Sequence, residues 1–234
     1  MGDTSARYLA HDICGGWELM LRILLADDHE IVRRGLKELL EEQSGWTVCA
    51  EAANGREAVE LAIETRPQVA VIDFSMPELN GLEATRRIVE RAPETQVLVF
   101  TMHDSDELIR QVLEAGARGY LLKSEATRQL VPAVESLSRR KPYFSGRVSE
   151  IVLQGFLRPA AAAKAEFGVE RLTSREREIV QLLAEGNTNK DIARRLGLSV
   201  KTVETHRAVV LRKLGLSSLV DLVRWAIRNN LVQA

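Results

Sequence analysis

Residues 68–91 read QVAVIDFSMPELNGLEATRRIVER, and this order of residues decides the fold. A short apolar run, Gln68–Ile72, leads into Asp73; a turn carrying Met76-Pro77 follows; from Gly81 to Arg91 apolar positions recur at helical spacing. Brief apolar runs bounded by turn residues suit buried strands, and recurrence every three to four residues suits an amphipathic helix. The same strand-then-helix order continues outward in both directions. β-like runs lie at Arg22–Ala26, Trp46–Glu51, Gln96–Thr101 and Gly119–Leu122, with helical stretches at Glu30–Glu42, Gly55–Thr65, Ser105–Ala115 and Glu125–Arg140. Five short strands separated by helices need crossover connections. The expected fold is therefore a doubly wound α/β domain, a five-stranded parallel sheet covered on both faces. Such sheets carry their sites at the carboxyl ends of the strands.

The alternation stops near Arg140. Residues 141–170 hold one apolar stretch, Arg147–Phe156, and then RPAAAAKAEFG, which reads as a linker with a short helix. Beyond it the pattern is purely helical. Thr173 and Glu176 form a capping box before Ser174–Glu185, which Gly186 ends. Thr188 and Asp191 repeat the device for Asn189–Leu196, Ser199 caps Val200–Leu214, and Ser217 caps Ser218–Asn230. Four helices on short turns make a small all-α domain. The expected organisation is an extension over 1–20, the sheet domain over 21–140, the linker over 141–170 and the helical domain over 171–234.

At about 150 residues per domain, a chain of 234 residues fits two modest domains. Apolar residues are 45% and charged residues 28% of the chain, a globular composition rather than a disordered one. Cys14 and Cys49 are too few for a disulfide framework or a four-cysteine zinc site. No apolar run approaches the roughly 18 residues that cross a bilayer. The first twenty residues lack the apolar centre of a signal peptide, so the expected location is cytoplasmic. The formal net charge of -1 argues, taken whole, against a nucleic-acid partner. That figure is a cancellation. Residues 168–234 carry 12 Lys+Arg and 7 Asp+Glu, a net of +5, while residues 1–167 carry 20 and 26, a net of -6.

Asp27 and Asp28 follow the first strand, Asp73 ends the third, Thr101 ends the fourth and Lys123 follows the fifth. In a doubly wound sheet these converge on one edge. Three carboxylates there repel one another unless a hard cation takes their oxygens, and Mg2+ accepts one or two carboxylates with waters and a phosphate oxygen. A lysine and a hydroxyl supply a point charge and a donor for a phosphoryl group. A carboxylate can itself accept that group as an acyl phosphate. The chemistry suggested is phosphoryl transfer onto an aspartate. An Asp-Asp pair alone is commonly a solvated turn; the ordered set along successive strand ends is what points further.

The segments LLADDHE, VIDFSMPELNG, VLVFT and GARGYLLK resemble the receiver domain of two-component response regulators, over about Leu21–Arg140. The resemblance implies a flavodoxin-like fold with Asp73 as phosphoacceptor. It implies Mg2+ held by Asp27, Asp28, Asp73 and the backbone carbonyl of Ser75. It makes Thr101 the hydroxyl that moves toward the phosphoryl oxygen, Lys123 the phosphate-contacting lysine, and Tyr120 the aromatic that repacks inward. Ser124 stands where many receivers carry proline, as is frequent in the subfamily with a helical output domain. His29 and His103 read as surface residues near the site.

In the helical segment, Ile192, Ala193, Leu196 and Leu198 with Val203, Val210 and Leu214 form an apolar face, so the second and third helices pack across the Gly197 turn. The opposite face shows Lys201, Glu204, Thr205, Ala208 and Arg212 at spacings of three and four. Seven basic residues against two acidic ones lie between Lys190 and Lys213, a stripe suited to a phosphate backbone. A salt-bridged surface helix would carry similar charge. The spacing, however, resembles the LuxR-type helix-turn-helix over about Arg171–Val232. That resemblance makes Val200–Leu214 the recognition helix. Glu204, Thr205 and Ala208 then face bases, and Lys190, Lys201, Thr202, Arg207, Arg212 and Lys213 face phosphates; His206 is a packing or backbone-contact residue. The last helix is apolar on more faces than one core contact requires. A dimer surface of Leu219, Leu222, Val223 and Trp225 is expected there, because dimers match palindromic half-sites; a well-buried terminal helix is the other reading.

The whole resembles a NarL/FixJ-type response regulator. This implies a sensor histidine kinase as donor, double-stranded DNA as target, and a homodimer when phosphorylated or DNA-bound. RNA polymerase is a further expected partner, and a membrane is not. Catalysis is limited to slow self-phosphorylation and self-dephosphorylation. Two other classes stay open: a phospho-hydrolase using Asp73, for which position 75 offers serine where a second acid is wanted, and a DNA binder with an inert receiver.

Overall fold

The structure, a computed structural model, describes residues 20–144, 148, 172–229 and 231–232. Six strands, β1 (Leu21–Ala26), β2 (Trp46–Ala52), β3 (Val69–Asp73), β4 (Gln96–Thr101), β5 (Gly119–Leu122) and β6 (Tyr143–Phe144), form one sheet in the order β2-β1-β3-β4-β5-β6. All pairings are parallel. The doubly wound class stands, with a sixth strand beyond the expected five. β6 is two residues long, too short to show a period in sequence, and it pairs Tyr143 with Gly119 and Phe144 with Tyr120.

Between the strands run α1 (Glu30–Glu41), α2 (Gly55–Thr65), α3 (Gly81–Arg91), α4 (Asp106–Glu114) and α5 (Ala126–Ser138), with a 3-10 turn at Lys123–Glu125. Neighbouring residues on a strand face opposite ways, and both faces are buried. Ile23, Leu25, Val69, Val71 and Phe100 pack with α1 and α5 through Leu40, Leu130 and Leu137. Leu24, Ala70, Ile72, Val97 and Val99 pack with α2, α3 and α4 through Ala58, Ile88 and Val112. That is why the strands read as apolar runs and not as alternating ones. Two helix-starting glycines pin the loop after β3. A Cβ on Gly81 would lie 2.1 Å from the Asp73 carbonyl oxygen, and one on Gly55 would lie 1.9 Å from that of Leu79.

The helical part comprises α6 (Ser174–Ala184), α7 (Asn189–Leu196), α8 (Val200–Leu214) and α9 (Leu219–Arg228). The Thr173–Glu176 capping box is formed, Thr188 and Ser199 cap α7 and α8, and Gly197 ends α7 in the left-handed conformation. The cap of α9 is Ser218, not Ser217: the Ser218 hydroxyl accepts the Asp221 N–H at 3.1 Å, so the helix begins one residue later than expected. Ile179, Leu183, Ile192, Leu196, Val203, Val210, Leu222 and Ala226 form the core. Residues 1–19 of the expected extension, and the Arg147–Phe156 stretch with the alanine run that follows it, lie outside the described residues, except Val148, which is buried on the α2–α4 side of the sheet domain. Among the described residues, no helix is long and apolar enough to cross a membrane.

Candidate functional site

β1, β3, β4 and β5 end side by side, and an acidic cluster forms where β1 and β3 end. Carboxylate oxygens of Asp27, Asp28 and Asp73 and a ring nitrogen of His29 lie within 4.8 Å of one another. Asp27 and Asp73 are buried and Asp28 stands at the rim. Lys123 does not stand free opposite them: its Nζ is 2.7 Å from Asp27 Oδ2 and 3.0 Å from Asp73 Oδ2. Burial pushes the Asp73 carboxyl up to about 6, against the pull of Lys123 and with the push of Asp27. Burial works against the Lys123 charge, but the hydrogen bonds and charges of the two aspartates outweigh it and hold the ammonium above the usual lysine range. His29 is exposed, as expected, yet it belongs to the cluster. Its backbone N–H donates to Asp27 Oδ1 at 2.9 Å and its Nδ1 lies 2.8 Å from Asp28 Oδ1.

On the opposite wall, Thr101 is buried at the end of β4 and its Oγ1 accepts the His103 backbone N–H at 3.1 Å. Tyr120 is 1% exposed and its hydroxyl donates to the His103 carbonyl at 2.5 Å, so this aromatic lies inward. The His103 ring meets Phe74 edge-on at 6.1 Å. The set is oxygen-rich and carries one half-buried ammonium. That combination suits a hard divalent cation beside a phosphoryl group.

The helical domain docks on this neighbourhood through one face of α6, a contact that sequence reading did not anticipate. Gln181 clamps the loop after β3, accepting from the Asn80 N–H at 2.8 Å and donating to the Met76 carbonyl at 3.0 Å. Glu185 accepts from the Glu78 N–H at 3.0 Å. Glu178, 1% exposed, meets Arg56 and Arg87 of the sheet domain and Arg175 of its own helix. Arg177 pairs with Glu83 at 2.8 Å; burial raises the Glu83 carboxyl, but Arg177 and its neighbours more than offset this and hold it low. A cavity of about 200 Å3 lies between the domains, lined by Asp28, Ser75 and Met76 on one side and Gln181, Glu185 and Leu231 on the other.

Most of the basic face of α7 and α8 stays accessible. Lys190, Lys201, Glu204, Thr205, Ala208 and Arg212 are exposed, while Thr202, His206 and Arg207 are half-buried. Lys213 departs from expectation, because its Nζ is 2.7 Å from both oxygens of Glu176, the buried capping-box acid of α6. Arg195, on α7, pairs with Glu78 of the sheet domain at 3.1 Å. On α9, Leu222 is fully buried in the domain's own core and offers no surface, so that expectation is corrected; Leu219 and Val220 are the exposed apolar pair, with Val223 and Trp225 half-buried.

The model of the response regulator receiver domain matches residues 23–135, and that of the bacterial regulatory proteins of the luxR family matches residues 170–226. Oxygen regulatory protein NreC of Staphylococcus epidermidis is 39% identical over 219 residues, covering 91% of this chain and 100% of that protein. This chain belongs to the NarL/FixJ-type response regulators. Transcriptional regulatory protein LiaR of Bacillus subtilis is 38% identical over 213 residues, with the same coverage of 91% and 100%. Among solved structures, a LuxR-family response regulator from Aurantimonas shows 37% identity and a TM-score of 0.54, covering 58% of this chain and 98% of that one. The response regulator RcsB of Salmonella typhimurium shows 25% identity and a TM-score of 0.53, covering 88% and 98%. This response regulator is a phosphorylation-dependent DNA-binding regulator of transcription in a two-component system.

Proposed function

We propose that Asp73 is the phosphoacceptor of this response regulator. The observation that carries the reading is the position of Asp73: buried at the end of β3, 3.0 Å from Lys123 and grouped with Asp27 and Asp28. Asp27, Asp28, Asp73 and the Ser75 carbonyl would hold Mg2+, which supplies charge to a transferring phosphoryl group. Lys123 bridges the side chains of Asp27 and Asp73, and on phosphorylation its ammonium passes from the Asp73 oxygen to the phosphoryl group. Thr101, whose hydroxyl already accepts from His103, turns to that group as a donor, and Tyr120 stays inward beneath it. With Ser75 where a hydrolase needs a second acid, the chemistry is limited to slow self-phosphorylation and self-dephosphorylation.

We read the chain as an extension over 1–20, a receiver over 21–140, a linker over 141–170 and a DNA-binding domain over 171–234. A sensor histidine kinase supplies the phosphoryl group, and kinase, regulator and DNA share the cytoplasm. On double-stranded DNA, Glu204, Thr205 and Ala208 face bases while Lys190, Lys201, Thr202, Arg207 and Arg212 face phosphates. Leu219, Val223 and Trp225, with Val220, supply the homodimer contact that places two α8 helices on a palindrome. A solved structure of RcsB holds two of its dimers bound to DNA, which supports this arrangement. RNA polymerase is the expected recipient of the signal. In the docked state Glu78 occupies Arg195 of the basic stripe, and phosphorylation shifts the population away from docking. The test is incubation with acetyl phosphate and Mg2+. Intact mass should rise by one phosphoryl group in the wild type and stay unchanged in Asp73→Asn; labelling of the variant to the same extent refutes the assignment.

A further inference from the structure

We propose that Arg33 is a positioning residue for the cation site, setting the direction of the Asp27–Asp28 pair, and that Glu51 holds Arg33 in place; this rests on the Mg2+ reading above. Among the described residues, the peptide that joins the two acids is held through its carbonyl. Its carbonyl, Asp27 O, accepts from Arg33 Nη1 at 2.7 Å. The preceding amide, Asp27 N, donates to the Ala52 carbonyl at 3.1 Å. Both anchors trace to the end of β2: Glu51, next to Ala52, lies 3.4 Å from Arg33 Nε and 2.7 Å from Lys37 Nζ. Arg33 and Lys37 are one helical turn apart on α1, so they reach the same carboxylate. A guanidinium can give one edge to a carboxylate and another to a carbonyl, which an ammonium does poorly.

The neighbouring Arg34 shows the contrast. It is 81% exposed and, among the described residues, pairs only along its own helix with Glu38, whereas Arg33 is 17% exposed and runs from α1 to the backbone at the end of β1. The two acids also differ in their need for such support. The Asp27 carboxylate is held independently, by the His29 N–H and by Lys123. Among the described residues the Asp28 carboxylate meets only the exposed His29 ring. The direction in which Asp28 faces the cleft therefore depends on the peptide plane that Arg33 grips.

The experiment is calorimetric titration of the full chain with Mg2+ alone, without a phosphodonor, beside melting curves taken free of divalent cation. Groups that orient metal ligands typically change affinity 10–100-fold when removed, so Arg33→Gln should weaken Mg2+ binding about tenfold. Glu51→Gln should follow in the same direction and Arg33→Lys should recover part of the loss. Lys37→Met, which touches Glu51 but not the acids, should stay within about twofold of wild type. If Arg33→Gln melts lower yet binds Mg2+ as wild type does, Arg33 only staples α1 to the sheet and the inference is overturned. Should Arg33→Gln not fold, unchanged affinity in Glu51→Gln and Arg33→Lys overturns it equally. Wild type that binds no Mg2+ at all removes the underlying reading instead.

Discussion

Asp73 is a buried carboxylate placed between an ammonium and a second acid, and its proton affinity reflects the burial most of all. With its folded value at about 6 against about 3.9 in an unfolded chain, the folded state binds this proton more tightly than the unfolded one. The cost of ionising Asp73 is thus fully present above pH 6 and fades as pH falls through that value, so this residue makes the cation-free protein more stable at the acid side. Asp73→Asn removes the cost. Without divalent cation it should melt a few degrees above wild type at pH 7.5, with the gap narrowing at pH 5; equal melting temperatures at pH 7.5 would exclude a strained carboxylate. The identities Asp27, Asp28, Asp73, Thr101 and Lys123 were legible in sequence because each closes or follows a strand. The Lys123 double contact was not, since a rotamer leaves no trace in residue order.

Elements succeed where local signals are strong. The strand and helix positions of the sheet domain follow from apolar runs and caps, and their ends move by one or two residues where a cap residue decides, as Ser105 does for α4. β6 escaped because two residues carry no period, and Ser217 was preferred to Ser218 because adjacent serines give the same signal. Two substitutions test the local account. Gly81→Ala would force a Cβ to within 2.1 Å of the Asp73 carbonyl. It should destabilise the protein by about 1–3 kcal/mol or more and reduce phosphorylation by moving Asp73; wild-type stability in urea unfolding would contradict the packing described. Thr173→Ala breaks the capping box of α6 and should cost about 1 kcal/mol.

At the scale of the whole molecule, the docking contact joins residues about a hundred positions apart, such as Asn80 with Gln181 and Glu83 with Arg177. No local pattern encodes such pairs, and α6 reads in sequence only as a helix opened by a capping box and ended by Gly186. Glu178 is the centre of the contact. Glu178→Gln leaves Arg56, Arg87 and Arg175 without their shared carboxylate, and losing one partner of a buried charge pair costs about 2–5 kcal/mol. The variant should expand in small-angle scattering and bind DNA more tightly without phosphorylation; an unchanged radius of gyration would contradict the docked arrangement. Raised salt should act in the same direction on the exposed pairs, Arg195–Glu78 among them. Whether a phosphoryl group on Asp73 governs DNA affinity is measured most directly by binding to a duplex selected by the protein from random sequence, with and without acetyl phosphate and Mg2+. Affinity of wild type should rise at least about fivefold on phosphorylation, within the range of typical coupling energies, and that of Asp73→Asn should not move. Equal affinities for phosphorylated and unphosphorylated wild type, or an equal rise in Asp73→Asn, would contradict it.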